Sequence, residues 1–328
     1  MTRRVVTVFG GSGFIGRAIV GKLASQGWIV RVAVTDPVRA EFLTTTGTVG
    51  QIVPLRIDIR NPGSVDAALT GADAAVNAVG LLSEGGGRSF RDIHVVGADN
   101  IAKACSSASV KTLVQVSALG VAKDSSSQYA RSKAEGEAAV LAAFPGAVII
   151  RPSLVFGDDD DFFNRFALMS QILPVLPVFT RDAPKFERDG LSLHLDLFGS
   201  GGPVFQPVWV GDVADAVVKS LTDSCCAGKT YELGGAQRYS FKELLELILS
   251  ITRRRCLLAP LPLWLARIIA PVLQLVPSKP LTLDQVRLME TDNVVRGGKP
   301  GLAELGIVPR ALAEMAPRYL DRYRRRPS

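Results

Sequence analysis

Seven residues near the start, Gly10-Gly11-Ser12-Gly13-Phe14-Ile15-Gly16, constrain this chain more than any other stretch. They follow the β-branched run Val5–Phe9 and open a helical pattern over Ile15–Ser25, in which Ile15, Ile19, Leu23 and small Ala18 share one face. A strand, a glycine turn and a helix in that order form the setting a dinucleotide motif requires. Gly11 and Gly13 let the backbone turn and approach a pyrophosphate, and Gly16 lets helix and strand pack closely. The helix N-terminus stabilises the phosphate charge.

The rhythm then repeats. Ile29–Val34, Ile52–Ile57, Ala74–Ala78, Leu113–Ser117 and Val148–Arg151 read as five further strands, with Ala130–Ala143 a second clear helix. The predicted fold is α/β: a Rossmann-type doubly wound parallel sheet over 1–155 and a smaller, mostly helical C-terminal lobe over 156–328, interleaved with it. Helices are expected at Asp161–Leu173, Val213–Leu221, Phe241–Thr252 and Leu302–Arg324. The strict alternation Leu191-Ser-Leu-His-Leu-Asp-Leu197, inside a polar stretch of about 180–203, predicts a hairpin arm.

Composition excludes several classes. With 47% hydrophobic residues in 328 the chain is globular, and its net charge of +7 favours anionic partners. No basic-aromatic patch supports nucleic-acid binding. Cys105, Cys225, Cys226 and Cys256 show no CxxC spacing, and only His94 and His194 accompany them, so no metal site or disulfide framework is expected. Met1 runs almost directly into the first strand, which predicts no signal peptide or transit segment. The apolar stretch Cys256–Pro277 raises a membrane question, but Pro260, Pro262, Pro271 and Arg267 oppose a spanning helix of roughly 20 apolar residues. A buried or partner-covered helix is expected there, with a helix seated in a membrane interface as the alternative.

Further residues fall around the predicted crevice. Asp58-Ile59 after the third strand is placed to set the adenine edge, and Asn77-Ala78-Val79-Gly80 after the fourth lines the cofactor. Asp36 comes one place late for the acidic ribose ligand of an NAD site and precedes Pro37, so it reads as a helix cap. Arg17 and Arg39 supply guanidinium groups for a 2′-phosphate, which favours NADP(H) over NAD(H). Tyr129 and Lys133, four apart, share a helix face, and Ser117 ends the preceding strand below them. An ammonium and a nicotinamide cation beside a phenol favour its ionised form, so the three make a proton-transfer constellation. Phe156, Phe162, Phe163 and Phe166 stand where they would fill the open cavity an enzyme needs.

In this order Gly10-x-x-Gly13-x-x-Gly16, Ser117, Tyr129-x-x-x-Lys133 and Arg151-Pro152-Ser153 resemble the extended or atypical short-chain dehydrogenase/reductase superfamily over about residues 1–235. More specific runs are Val116-Ser-Ala-Leu-Gly120, Tyr129-Ala-Arg-Ser-Lys-Ala-Glu-Gly-Glu137, Arg151-Pro-Ser-Leu-Val-Phe-Gly157 and Phe205-Gln-Pro-Val-Trp-Val-Gly-Asp-Val213. Tyr231-Glu-Leu-Gly-Gly235 and Leu281-Thr-Leu-Asp-Gln-Val286 follow. With them the chain is similar to the nucleotide-binding accessory subunits of respiratory complex I (NADH:ubiquinone oxidoreductase) of mitochondria and alphaproteobacteria.

That resemblance implies a structural and assembly subunit that binds NADP(H) without turnover near the junction of the hydrophilic and membrane arms. The residues expected at the cofactor are Gly10–Arg17, Arg39, Asp58, Ile59, Asn77–Gly80, Ser117, Tyr129, Lys133 and Arg151–Ser153, and with the resemblance the Ser117/Tyr129/Lys133 set reads as vestigial. Its partners would be complex I subunits near the quinone site. Cys256–Pro277 and the basic end Arg318, Arg322, Arg324, Arg325 and Arg326 would face lipid head groups or the membrane surface. The expected location is peripheral on the inner membrane, at the bacterial cytoplasmic face, or at the mitochondrial matrix face as the alternative. An active NAD(P)-dependent reductase or epimerase is the competing reading.

Overall fold

The computed structural model describes residues 4–181, 185–189, 192–274, 276 and 281–325. These form two compact units. The first comprises Met1–Pro152, Val210–Leu233 and Arg296–Pro309. Its sheet contains β1 (Val5–Phe9), β2 (Ile29–Val34), β3 (Ile52–Arg56), β4 (Ala74–Asn77), β5 (Thr112–Val116), β6 (Val148–Pro152) and the strand Thr230–Leu233. All seven are parallel, in the spatial order 3-2-1-4-5-6 with Thr230–Leu233 outside β6.

Parallel strands need covering on both faces, so they read as nearly continuous β-branched runs. Val6, Val8, Val30, Val32, Val76, Val114 and Ile150 are accordingly fully buried. The cover comes from helices α1 (Phe14–Ser25), α2 (Pro62–Leu69), α3 (Gly97–Ser107), α4 (Gln128–Ala143) and the helix Val210–Thr222. Starts are set locally: the Asn61 side chain accepts from Ser64 N–H with Pro62 in the first turn of α2, and Ser127 Oγ accepts from Ala130 N–H to begin α4. Strand order reverses between β1 and β4, so the loops after these two strands frame the place where such sheets take ligands.

The second unit comprises Ser153–Trp209, Gly234–Val295 and Arg310–Ser328. Helices Phe162–Ile172, Phe241–Thr252 and Leu263–Leu273 surround an aromatic core, and four two-stranded sheets accompany them among the described residues. Ser240 and Glu243 form a reciprocal capping box that fixes where Phe241–Thr252 begins. Phe241 meets Phe162, Phe166 and Phe179 edge-on at centroid distances of 5.6, 5.6 and 5.2 Å. Phe156 and Phe163 are also fully buried in this core. These phenylalanines are therefore part of the unit's own packing, a correction to the expectation that they fill an active-site opening.

Two other expectations change. Leu302–Arg324 is not one helix: a 3-10 turn at Ala303–Leu305 ends at left-handed Gly306, and short helices Leu312–Met315 and Pro317–Leu320 follow. Gly306 takes a φ of +71°, and Pro309 and Pro317 cannot donate to a continuing helix. Cys256–Pro277 opens as a strand, Leu257–Pro262, parallel to Val175–Thr180, and only then becomes the helix Leu263–Leu273. Residues 275 and 277 of that stretch, and Arg326 of the basic end, lie outside the described residues. No helix among the described residues is long and apolar enough to cross a membrane. The predicted arm contains the antiparallel pair Lys185–Asp189 and Ser192–Asp196; residues 182–184, 190 and 191 of it lie outside the described residues.

Candidate functional site

The glycine turn is built from close backbone approaches. Gly10 has a φ of +75°, and a Cβ there would lie 3.0 Å from Val79 N and 3.1 Å from Ala78 O. Glycine thus lets the loops after β1 and β4 touch. A Cβ on Gly16 would overlap the Gly10 carbonyl oxygen and lie 2.8 Å from Gly11 Cα, so Gly16 sets the contact between α1 and the turn. Exposed Gly13 differs, since its nearest neighbour for a Cβ is Gly10 O at 3.3 Å. Gly13 N–H donates to Gly10 O at 3.0 Å, and no side chain caps α1 and no acidic residue stands in its first turn. Its positive helix end is left to an anionic group approaching over Ser12–Ile15.

Asn77 organises the facing loop. Its Nδ2 donates to Gln115 Oε1 at 2.9 Å while its Oδ1 accepts from Val79 N–H at 3.1 Å, and Ala78 N–H donates to Phe9 O at 2.9 Å. Asp58 is forked onto Arg60, with Nε to Oδ1 at 3.0 Å and Nη2 to Oδ2 at 2.7 Å, which holds its carboxyl below the usual range. Ile59 is buried beneath Gly97, where any Cβ would overlap its side chain.

Arg17 donates from Nη2 to Ser12 O at 3.2 Å, and its guanidinium carbon lies 5.3 Å from the Phe42 ring centroid. Asp36 accepts from Val38 N–H at 3.2 Å and pairs with exposed Arg39 at 3.4 Å.

Ser117 directly follows β5, and Tyr129 and Lys133 stand on α4. Ser117 N–H donates to Ile150 O at 2.7 Å, while its hydroxyl is buried with no hydrogen-bond partner. A buried orphan hydroxyl at the C-terminal end of β5 fits a site made for a polar ligand. Tyr129 is half-buried and desolvation of its hydroxyl pushes its pKa up to about 12. Burial pushes Lys133 down to about 8, against the opposing pull of Glu137, and its Nζ lies 3.4 Å from Val116 O. Both groups are thus biased towards their neutral forms.

Arg151 is placed otherwise. It forks onto Glu137 at 2.9 and 2.6 Å and lies 3.6 Å from Glu232, forming a largely buried ion network. Those carboxylates already engage the guanidinium, so its visible role is to tie α4 to the sheet rather than to hold a cofactor. Pro152 ends β6 and its carbonyl accepts from Leu119 N–H at 2.8 Å. Ser153 belongs to the second unit, where its hydroxyl donates to Asn293, with O at 2.7 Å and Oδ1 at 2.6 Å.

Sequence reasoning missed the aromatic group behind Tyr129. Phe90 and His94 stack at 5.4 Å, and Tyr129 meets them edge-on at 6.0 and 5.5 Å. By sequence His94 suggests only a metal ligand, and no group of metal-binding side chains occurs among the described residues. The available signal was its position three residues before Gly97, on the segment that precedes β5.

The NAD(P)H-binding family model matches residues 10–153. The chain is 34% identical over 322 residues to mitochondrial NADH dehydrogenase [ubiquinone] 1 alpha subcomplex subunit 9 of Mus musculus, covering 98% of this chain and 80% of that protein. It is 32% identical to the protein of the same name from Arabidopsis thaliana, covering 98% and 78%. Among solved structures, the dTDP-glucose 4,6-dehydratase DesIV of Streptomyces venezuelae, with NAD and TYD bound, superposes with a TM-score of 0.70. That match has 20% identity and covers 97% of this chain and 96% of the other, a likeness of fold.

Proposed function

Because the chain belongs to the complex I subunit 9 family, we propose that it is an accessory, structural and assembly subunit of respiratory complex I that holds NADP(H) without turning it over. The observation that carries this reading is the relation to the named subunit along 98% of this chain and 80% of the mouse protein. The glycine cradle and the orphan Ser117 hydroxyl supply the means of holding a dinucleotide. When bound, such a cofactor is capable of hydride transfer; here its contribution is stabilisation of about 2.7 kcal/mol when free ligand is 100 times its dissociation constant. Gly13 and the first turn of α1 receive the pyrophosphate, and Lys133 and Tyr129 hold the nicotinamide ribose. A phenol held near 12 is a poor proton donor at neutral pH, which suits a holding role.

NADP(H) is favoured over NAD(H) on charge. Asp36, the acidic group nearest the end of β2, is engaged by Val38 N–H and Arg39, while the Arg17 guanidinium lies over the loop on Phe42. Its seat is the junction of the hydrophilic and membrane arms, near the quinone site. There the exposed stripe Trp264, Ile268 and Val272 of the helix Leu263–Leu273 meets a neighbouring subunit or lipid, and the basic C-terminal end meets head groups. The location is peripheral on an inner membrane, at its bacterial cytoplasmic face. The arm at 180–203 is an assembly contact: deleting Arg181–Ser200 impairs incorporation and leaves nucleotide binding intact.

The test is purification from native membranes at low detergent, with identification of co-purifying chains and released nucleotide. Complex I subunits and stoichiometric NADP(H) are expected. Tyr129→Phe should leave assembly and quinone reduction nearly unchanged; a large loss of quinone reductase activity in a fully assembled complex refutes the structural role. The retained Ser117, Tyr129 and Lys133 favour a second reading, an active reductase or epimerase, which a soluble homo-oligomer with exchangeable cofactor would support.

A further inference from the structure

His94 lies on the segment Arg91–Val96, which winds as a π-helix ahead of α3, a local widening often found at functional sites. It is almost fully buried, and its hydrogen bonds fix its chemistry. Leu81 N–H donates to Nε2 at 3.0 Å, so Nε2 carries no proton and the proton sits on Nδ1. Nδ1–H then donates to Ser132 Oγ at 2.8 Å, and the Ser132 hydroxyl donates to Tyr129 O at 2.9 Å. The bonds run in one direction, from the loop after β4, through the imidazole, to the first turn of α4.

The surroundings leave this connection little slack. A Cβ on Gly136 of α4 would overlap the His94 carbonyl oxygen, so helix and π-turn touch backbone to backbone. A Cβ on Gly80 would lie 3.3 Å from Lys133 Nζ and 3.9 Å from His94 Nε2. The imidazole is also sandwiched by Phe90 and the edge of Tyr129. Loop, imidazole, Tyr129 and Lys133 therefore form one packed cluster where the loop after β4 meets α4.

We propose that His94 is a positioning residue of the nucleotide site, holding the Gly80–Leu81 loop at a fixed distance from Tyr129 and Lys133 so that the nicotinamide ribose meets a preformed wall. This rests on the nucleotide-binding reading above and assigns His94 no part in holding the adenosine half. Its effect is preorganisation: without the linked bonds, binding must also order the loop.

The experiment compares full-length wild type, His94→Phe and Ser132→Ala. Phe keeps a ring between Phe90 and Tyr129 and removes both bonds; Ser132→Ala removes only the link to α4 and serves if His94→Phe does not fold. Titration calorimetry measures NADPH, NADH and ADP, which carries adenosine and pyrophosphate without the nicotinamide ribose. The tighter dinucleotide should bind about tenfold more weakly to each folded variant, the scale of one or two linked hydrogen bonds, with ADP within twofold of wild type. Unchanged dinucleotide affinity, or equal weakening of dinucleotide and ADP, overturns the proposal. Wild type that binds none of the three overturns the nucleotide-binding reading itself.

Discussion

Gly16→Ala and Gly13→Ala test whether the glycine turn is divided between folding and binding. At Gly16 the added methyl overlaps the Gly10 carbonyl oxygen and lies 2.8 Å from Gly11 Cα, both backbone atoms that cannot rotate away. Overpacking of this kind costs about 1–3 kcal/mol. Replacing a helical glycine by alanine returns up to about 1 kcal/mol of helix propensity, so the net loss is roughly 0–3 kcal/mol, and the rigid contact places it in the upper half. At about 2–4 °C per kcal/mol for a chain beyond 150 residues, Tm without nucleotide should fall by roughly 3–12 °C.

At Gly13 the methyl meets only Gly10 O at 3.3 Å, and the residue is exposed and extended at the α1 N-cap. Gly13→Ala should therefore melt within about 2 °C of wild type, an expectation for surface changes near ±0.5 kcal/mol. On the proposed nucleotide reading its methyl would stand where the pyrophosphate approaches, so the stabilisation conferred by added NADPH should shrink or vanish, and Gly13→Val should abolish it. Scanning calorimetry with and without nucleotide reads both effects. Equal melting of Gly16→Ala and wild type, or a Gly13→Ala variant as destabilised as Gly16→Ala, would refute the reasoning.

Two further perturbations follow from buried charge. Glu137→Ala leaves Arg151 in a mostly buried site with Glu232, at 3.6 Å, as its remaining carboxylate among the described residues; a broken buried pair costs about 3–5 kcal/mol, and that carboxylate places this one near the lower end. A denaturant midpoint equal to wild type would show that the network contributes nothing. Burial, aided by the Lys133 charge, holds His94 down at about 3 against its ordinary 6.5. The unfolded chain therefore takes up a proton between pH 6.5 and 3 that the native state does not. The stability this group confers is present above about pH 6.5 and lost as pH falls towards 3. His94→Gln should flatten that part of the stability profile measured by urea unfolding, and superimposable profiles would contradict it.

Local signals made the nucleotide half legible. β1, β2 and the helix Phe241–Thr252 begin and end where periodicity and turn residues place them, because each carries its own punctuation in Gly10, Gly27 or the Ser240–Glu243 box. The glycine turn is legible for the same reason: a strand, three spaced glycines and a helix encode a backbone path whatever surrounds them. The apolar run Cys256–Pro277 misleads because apolar residues serve strand and helix alike. Leu257–Pro262 becomes a strand through its pairing with Val175–Thr180, some eighty positions earlier.

The sequence by itself therefore determined six strands of the sheet, the glycine cradle and the Tyr129–Lys133 face, all properties of spacing within a few residues. Tertiary structure alone decided the rest. It made Thr230–Leu233 the seventh strand beside β6, committed Arg151 to Glu137 and Glu232, and sent the phenylalanines of 156–166 into a core with Phe241. It also joined Leu81, His94, Ser132 and Tyr129, of which Leu81 and Ser132 lie 51 positions apart, in one hydrogen-bond chain. A buried donor, acceptor or charge must find a partner, and where the chain brings that partner from is set by packing, not by neighbours in sequence.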